Sequence, residues 1–273
     1  MKQISHTILL MFIIINISCT NASASAAALN DNKDTAIQDK NQQEDTITEG
    51  WVKTKSETCF FRDGEKQTGW CRIANKYYYF NKKGVLQKNK IAGNKKGGYY
   101  YVDPNGICVT DNVIQYAVKF VMKHSDSQGP PKKRLKSCYK ALCKYHYQRS
   151  SSGRPGAKKM KPYAFYLFRN KKGDCYQYSS ALAYIARVLG YDSRISVDNT
   201  ITTHSWCEIK VNGKWKVCDC TIQMTNKETN FFLVDKKKYP SLIKIKWGTG
   251  IKCDTIYTLH VKTGKISWKK GKI

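Results

Sequence analysis

The strongest local folding signal in the chain is the dipeptide Asn212–Gly213, which separates two runs of mixed apolar and polar residues. Asn-Gly is the preferred pair for a two-residue β-hairpin turn, because both positions of that turn need a positive φ. Such a turn sets the register, and counting outward from it pairs Trp206 with Asp219 and His204 with Thr221. We therefore expect His204 and Asp219 to be diagonal neighbours on one face of the hairpin, where their side chains can meet.

A predicted helix precedes the hairpin and carries a cysteine in its first turn. Asp174 is suited to the N-cap, an apolar stripe follows at helical spacing, and Gly190 is a natural stop. The N–H groups and the positive dipole end of a helix start favour a thiolate, so Cys175 is a candidate nucleophile. Two further helices are predicted upstream, over residues 112–123 and 133–147, with a Gly-Pro-Pro break between them.

Cys175, His204 and Asp219 supply the three parts of nucleophilic catalysis: a thiol, a base, and a group that orients the base. Taken singly, each has an ordinary structural explanation, as a small buried thiol, a satisfied imidazole or a turn carboxylate. Their occurrence together, in this order and within reach of one another, favours a catalytic triad.

The motifs around these residues follow an order that is typical of one family. They are Gly173-Asp174-Cys175, Leu189-Gly190-Tyr191, His204-Ser205-Trp206-Cys207-Glu208 and Trp215-Lys216-Val217-Cys218-Asp219. In these motifs the sequence resembles the transglutaminase-like core shared by papain-type cysteine enzymes, over residues 112–260. The resemblance implies an α+β fold, with the nucleophile at a helix N-terminus packed on an antiparallel sheet.

The resemblance also implies a role for each residue of the triad. Cys175 is expected to be the nucleophile, His204 the general base and then acid, and Asp219 the group that orients the imidazole. The backbone N–H of Cys175 is expected to contribute to the oxyanion hole. The chain departs from many family members at Cys220, which follows the aspartate where they have proline.

Several other side chains near the motifs have a less specific assignment. Trp206 and Glu208 are expected to be structural. Tyr163, Phe165 and Tyr166 can either wall the acyl site or pack in the core.

Residues 50–110 contain a pattern of paired aromatics followed by an Asp or Asn turn and a glycine. Its copies are Cys59-Phe-Phe-Arg-Asp-Gly64, Tyr77-Tyr-Tyr-Phe-Asn-Lys-Lys-Gly84 and Tyr99-Tyr-Tyr-Val-Asp-Pro-Asn-Gly106, with Gly50-Trp51 and Gly69-Trp70 marking neighbouring strands. Hairpins of this kind must stack to bury their aromatic faces. The stretch resembles the choline-binding or glucan-binding repeats of cell-wall-binding proteins, which implies aromatic cages for a quaternary ammonium or stacking on sugars. The alternative is a spacer whose aromatics only pack the hairpins together.

The first residues of the chain predict export. Residues 1–28 have the short apolar run and small-residue cleavage sites of a signal peptide, and residues 29–49 have the composition of a flexible linker. Cys19 is an alternative site of lipid attachment. No later stretch is apolar for long enough to span a membrane. We therefore predict a protein that is secreted, or attached to the cell surface or cell wall, with repeats over 50–110 and a catalytic domain over 111–273.

An exported chain can form disulfides, and ten of the eleven cysteines follow Cys19. The hairpin register places Cys207 opposite Cys218, which predicts a cross-strand disulfide with Cys220 as a competing partner. No spacing of a zinc site is present, and the acidic residues of the last domain are scattered. We expect no metal and no cofactor.

The chain carries 48 basic against 20 acidic side chains, a net charge of +28. Residues 1–49 carry a net charge of −3, residues 50–111 carry +7 and residues 112–273 carry +24. This charge predicts attraction to polyanions. No nucleic-acid-binding motif accompanies it, so we expect no specific nucleic-acid partner.

Together these features imply a secreted transglutaminase-like cysteine enzyme at the bacterial cell envelope, acting as an acyltransferase or a protease. An acyl-thioester on the cysteine gives crosslinking with a lysine amine, and proteolysis or deamidation with water. The expected partners are protein or peptide substrates and cell-wall polymers, and the expected state is a monomer. The alternative is a catalytically silent surface protein that binds the wall through its repeats and basic surface.

Overall fold

The computed structural model describes residues 48–151, 153, 156–198, 203–247, 251–260 and 263–271. The predicted signal peptide, Cys19 and most of the predicted linker lie outside the described residues. Within the described part of the chain, no helix combines the length and the apolar character that crossing a membrane requires.

The structure contains both helices and strands. The helices are α1 (Asn112–His124), α2 (Pro131–Leu142), α3 (Met160–Asn170), α4 (Cys175–Val188), α5 (Cys220–Thr225) and α6 (Tyr239–Trp247). The strands before α1 are β1 (Gly50–Lys53), β2 (Thr58–Arg62), β3 (Glu65–Lys66), β4 (Gly69–Ile73), β5 (Lys76–Phe80), β6 (Lys90–Asn94), β7 (Gly98–Val102) and β8 (Cys108–Val109). Those after α1 are β9 (His146–Tyr147), β10 (Lys172–Gly173), β11 (Ser193–Asp198), β12 (His204–Val211), β13 (Lys214–Cys218), β14 (Val234–Asp235), β15 (Thr255–Leu259) and β16 (Ile266–Lys270).

The second half of the chain is built on a six-stranded antiparallel sheet with the order β14-β13-β12-β11-β15-β16. Helix α4 packs on β12 and β11, and α3 and α1 pack on α4. All fourteen residues of α4 are buried, so this helix forms the centre of the core. The predicted α+β class, with a helix packed on an antiparallel sheet, is confirmed.

The hairpin of β12 and β13 confirms part of the predicted register. Asn212 and Gly213 have φ of 49° and 75°, and the strands pair as far as Cys207 opposite Cys218. The pairing of Trp206 with Asp219 was wrong, as was that of His204 with Thr221. Strand β13 ends at Cys218, because the carboxylate of Asp219 accepts the N–H groups that begin α5.

Cys207 and Cys218 face each other as predicted, but both are free thiols, as are all ten cysteines of the described residues. The Cys218 sulfur instead accepts the backbone N–H of Leu233 at 3.3 Å. Cys220, the predicted competing partner, is a free thiol as well, and its backbone carbonyl accepts the Cys143 thiol at 3.7 Å. The predicted cross-strand disulfide is therefore absent from this structure.

The helix predictions were partly right. Helix α4 has the predicted N-cap at Asp174, and Gly190 follows its C-cap with a φ of +87°. The segment predicted over 133–147 begins earlier, because Pro131 occupies the first helical turn, where its missing N–H costs nothing. It also ends earlier, at Leu142, and the residues beyond it form β9 alongside β10.

The aromatic hairpins of residues 50–110 stack on one another, as predicted. Trp51 of the first unit contacts Tyr78 of the second at a ring-centroid distance of 5.1 Å, and Trp70 contacts Tyr100 of the third at 5.4 Å. Each pair is edge-to-face, the arrangement that aromatic quadrupoles favour.

The third hairpin unit also shares the main core of the helical half. Tyr101 is fully buried in that core, and its hydroxyl donates to Asn89 at 2.7 Å. The amide of Asn89 in turn donates to the carbonyl of Gly190 at 3.2 Å, just after α4. A Cβ at Gly190 would come within 2.7 Å of the Asn89 carbonyl oxygen, so only glycine allows this approach. The predicted boundary near residue 110 therefore crosses a continuous core.

Glu208 on β12 is fully buried, and its carboxylate is hydrogen-bonded to side chains of the neighbouring strand β11. Its carboxylate accepts two hydrogen bonds from Arg194, at 2.8 and 2.5 Å, and one each from Ser196 and the Trp206 indole. The Arg194 guanidinium lies 4.0 Å from the ring centroid of Trp215. This network accounts for Glu208 and Trp206 without a catalytic role.

Replacing Glu208 with Gln should lower the free energy of unfolding by about 3 to 5 kcal/mol, because Arg194 is left buried without a counter-charge. Urea unfolding should show a lower midpoint at an unchanged slope. The control is Glu228→Gln, which removes an exposed carboxylate. Equal midpoints for the two variants would contradict a structural role for the buried pair.

Candidate active site

Cys175 is the first residue of α4, and a capping box holds it there. The Asp174 carboxylate accepts the N–H of Tyr176 at 3.1 Å, and the Gln177 side chain accepts the N–H of Asp174 at 2.8 Å. Gly173 is required because a Cβ there would come within 2.4 Å of the Gln177 side-chain oxygen. The Gly-Asp-Cys motif thus places the thiol at the positive end of a buried helix.

His204 begins β12 and is held against α4 from two sides. Thr203 has a φ of 44°, which is unusual for a β-branched residue, and its carbonyl accepts the Tyr176 hydroxyl at 3.0 Å. The hydroxyls of Ser205 and Ser179 are 2.7 Å apart and tie the strand to the helix. The His204 imidazole is hydrogen-bonded to Cys175, so helix and strand bring the thiol and the base together.

Asp219 is buried and accepts five hydrogen bonds. One oxygen accepts the backbone N–H and the hydroxyl of Thr221, at 3.0 and 2.9 Å, and the N–H of Ile222 at 3.1 Å. The other lies 2.7 Å from His204 Nε2 and accepts the Tyr239 hydroxyl at 2.6 Å. Because Nε2 faces the carboxylate, Nδ1 is the nitrogen left for the thiol.

The electrostatics of this site favour a charged imidazole. Burial by itself lowers the pKa of His204, but the charge and hydrogen bond of Asp219, and the contact with Cys175, raise it above its ordinary value. Burial likewise raises the pKa of Asp219, and the His204 charge and the hydrogen bonds from His204 and Tyr239 outweigh this and lower it. The two groups therefore stabilise each other as an ion pair.

The structure brings together all three residues of the predicted triad, Cys175, His204 and Asp219. Of the aromatics proposed as walls of the acyl site, Tyr163 packs with Cys175, while Phe165 contacts Tyr116. Both aromatics lie on α3, a helix that was not predicted from the sequence.

Two tyrosines near the site were missed by the sequence analysis. Tyr239 begins α6, twenty residues beyond the carboxylate that it contacts, and no local pattern indicates that contact. Tyr147 is 46% exposed, and its pKa is raised by burial and by the charges of Cys175 and Asp174. The pairing of β9 with β10 places it beside Gly173, two residues before Cys175. Neither tyrosine belongs to any of the sequence motifs that predicted the triad.

The site offers a nucleophile, a base and an orienting acid, which is a set suited to attack on a carbonyl carbon. Among the described residues, no group of three His, Cys, Asp or Glu side chains is arranged to hold a metal ion.

Residues 118–220 match the family model of the transglutaminase-like superfamily, and this range contains Cys175, His204 and Asp219. No curated protein matches the chain.

Several solved structures are similar to parts of the chain. The choline-binding domain of Spr1274 from Streptococcus pneumoniae is 29% identical over 24% of this chain and 98% of that one, with a TM-score of 0.22. A cell-wall endolysin from phage Cp-1, complexed with choline, is 23% identical over 26% of this chain and 22% of that one, with a TM-score of 0.21. A candidate cysteine protease from Cytophaga hutchinsonii is 15% identical over 59% of this chain and 47% of that one, with a TM-score of 0.34.

The ion pair predicts a pH window for stability. The Asp219 contribution is complete above the ordinary carboxyl pKa of 3.8 and is lost as the pH falls through its lowered pKa. The His204 contribution is complete below the ordinary value of 6.5 and is lost as the pH rises through its raised pKa. Asp219→Asn should therefore lower the free energy of unfolding by about 3 to 5 kcal/mol between those values, and by less at higher pH.

Thermal unfolding from pH 4 to pH 10 measures this difference. Asp235→Asn is the control, because it removes a carboxylate from a solvent-exposed pair with Lys216. A cost of Asp219→Asn that does not change with pH would contradict the ion pair.

Proposed function

Because residues 118–220 form a transglutaminase-like domain, we propose that this protein is a cysteine enzyme that cleaves amide bonds by acyl transfer through Cys175, His204 and Asp219. The observation that carries the proposal is the continuous hydrogen-bonded chain from thiol to imidazole to carboxylate. The transglutaminase-like domain supports membership of a cysteine-enzyme family. The assignment of the individual roles is part of the proposal.

The first half of the reaction forms a thioester. His204 takes the proton of the Cys175 thiol, and the sulfur attacks the carbonyl carbon of a carboxamide or peptide bond. The C=O electron pair moves onto the oxygen, and a tetrahedral intermediate forms. His204 then gives a proton to the leaving nitrogen, the C–N bond breaks, and ammonia or an amine departs. Asp219 keeps the imidazole oriented throughout and stabilises its positive charge.

The negative oxygen of the intermediate needs hydrogen-bond donors. The capping hydrogen bonds of α4 use the N–H groups of Tyr176 and Gln177. The N–H of Cys175 is therefore the helix-start donor that we assign to the oxyanion.

The second half of the reaction transfers the acyl group to an acceptor. His204 removes a proton from a lysine amine or from water, the acceptor attacks the thioester carbonyl, and the Cys175 thiol is regenerated. An amine acceptor gives a crosslink, while water gives hydrolysis or deamidation. The same three residues serve both outcomes, so product analysis with and without an added amine distinguishes them.

We further propose that the enzyme is secreted and held at the cell wall by its aromatic repeats. Trp51 and Tyr77 are 43% and 48% exposed, which is high for side chains of this size. The Trp51 ring lies between 5.1 and 5.9 Å from the rings of Phe60, Tyr78 and Phe80. A partly open aromatic cluster of this kind suits a quaternary ammonium or a sugar face.

The alternative function is a wall-binding protein without turnover. It uses the same repeats and the basic surface, and it assigns Cys175 no chemistry. A thiol-directed acyl probe separates the two functions, because only an activated thiol reacts faster than ordinary buried cysteines.

Replacing Cys175 with Ala should abolish acyl transfer, since Cys175 is the thiol that is hydrogen-bonded to the His204 imidazole. The measurement is release of ammonia or amine from a glutamine-containing protein, together with labelling by the acyl probe. The matched control, Cys108→Ala, removes a half-buried thiol of the repeat region and should leave both signals intact. Retained activity in Cys175→Ala would refute the proposed triad.

Wall binding by the repeats should resist salt, whereas binding by the basic surface should weaken as the Debye length falls to about 3 Å at 1 M salt. In a cell-wall pull-down at that salt, Trp51→Ala should reduce retention, and free choline should compete with the wild type. Trp268→Ala is the control, because this tryptophan is also exposed but lies on β16. Equal retention of wild type and Trp51→Ala would favour the spacer.

A further inference from the structure

A groove with a volume of about 490 Å³ lies beside the candidate active site. Residues 156–159, which lead into α3, form one wall, and Thr255, Tyr257 and Trp268 form the other. We propose that this groove binds an acidic segment of the protein substrate, with an apolar side chain of that segment resting on Trp268. This inference rests on the proposed function and names the substrate class of the same site.

The floor of the groove is the part of the sheet that the helices leave uncovered. Tyr257 lies directly opposite Trp268, and Thr255 lies opposite Lys270, so these four side chains share one face of β15 and β16. That face is continuous with the face of β11 and β12 on which α4 packs. Trp268 is 65% exposed, the most open of the large apolar side chains in the described residues.

The groove is connected to the surroundings of Cys175 through the sheet and through one shared side chain. Thr255 pairs with Val197, at the end of the sheet where His204 begins its strand. Tyr257 packs against the buried cluster that contains Cys175 and Tyr176. A single side chain, Tyr257, thus contacts both the groove and the surroundings of the nucleophile.

The positive charge around the groove indicates which kind of ligand it binds. Lys158 and Lys159 lie on one wall. Lys270 does not line the groove, but it pairs with the lining residue Thr255 on the same face of the sheet. Among the described residues that line the groove, no side chain is acidic. Asp254, the residue before β15, does not line the groove, and its carboxylate accepts the Thr255 hydroxyl at 2.7 Å. An aromatic floor with a lysine rim fits a peptide that combines an apolar side chain with carboxylates.

Binding can be measured without turnover in the full chain carrying Cys175→Ala. The probe is a fluorescein-labelled peptide with a central glutamine, one phenylalanine and three glutamates, and the reference peptide has lysine in place of each glutamate. Fluorescence anisotropy should show tighter binding of the acidic peptide. Trp268→Ala should weaken that binding by about tenfold, as loss of an aromatic anchor does.

The double variant Lys158→Glu/Lys159→Glu should reverse the preference between the two peptides. Its control is Lys95→Glu/Lys96→Glu, an equal change of net charge at an exposed turn of the repeats, which should keep the preference. If the two double variants behave alike, or if Trp268→Ala binds as the parent does, the groove is not the site. Tighter binding of an anionic wall polymer than of the peptide at the same groove would also overturn the proposal.

These outcomes are independent of the proposed chemistry. Failure of Cys175 to react with the acyl probe would end the proposed function and leave the peptide measurements intact. Normal acyl transfer with no effect of Trp268→Ala or Lys158→Glu/Lys159→Glu on peptide binding would end the groove proposal alone.

Discussion

The buried carboxylate of Asp219 is the group on which the organisation of the site depends. Taking a charged carboxylate out of water is costly unless it is paired and hydrogen-bonded, and here five donors surround it. Those donors come from the first turn of α5, the tyrosine that begins α6 and the imidazole of His204 at the start of β12. These three parts of the chain must therefore meet at the carboxylate, and the orientation of the imidazole follows from that requirement.

Local sequence signals predicted the elements that carry the thiol and the imidazole. The Asn-Gly turn gave the hairpin register as far as Cys218, and the Gly-Asp-Cys motif gave the start of α4. The predicted strand pairing beyond Cys218 was wrong, because the side chain of Asp219 caps α5 and so ends the strand. The expected closeness of His204 and Asp219 was nevertheless right, since capping leaves one carboxylate oxygen for the ring.

Contacts between residues that are distant in the sequence could not be predicted from local sequence patterns. The hydroxyl of Tyr239 meets Asp219 only because α6 folds back over the sheet, and a lone tyrosine carries no local sign of this. Helix α3 and the exposed face of β15 and β16 were missed for a similar reason. The residues that pack against them are distant in the sequence, so no local pattern indicates them. For the cysteines, the opposed positions of Cys207 and Cys218 were predicted correctly, and both are free thiols in this structure.

The third aromatic hairpin shares its core with the helical half, through Tyr101 and the contact of Asn89 with Gly190. A hinge at this place would have to open a packed interior and break hydrogen bonds that are partly shielded from water. If the repeats hold the protein on a surface, the shared core keeps the candidate active site at a fixed distance from that surface. The molecules that such a site can reach would then be limited by their own distance from the surface, because a shared core leaves no linker between the two parts.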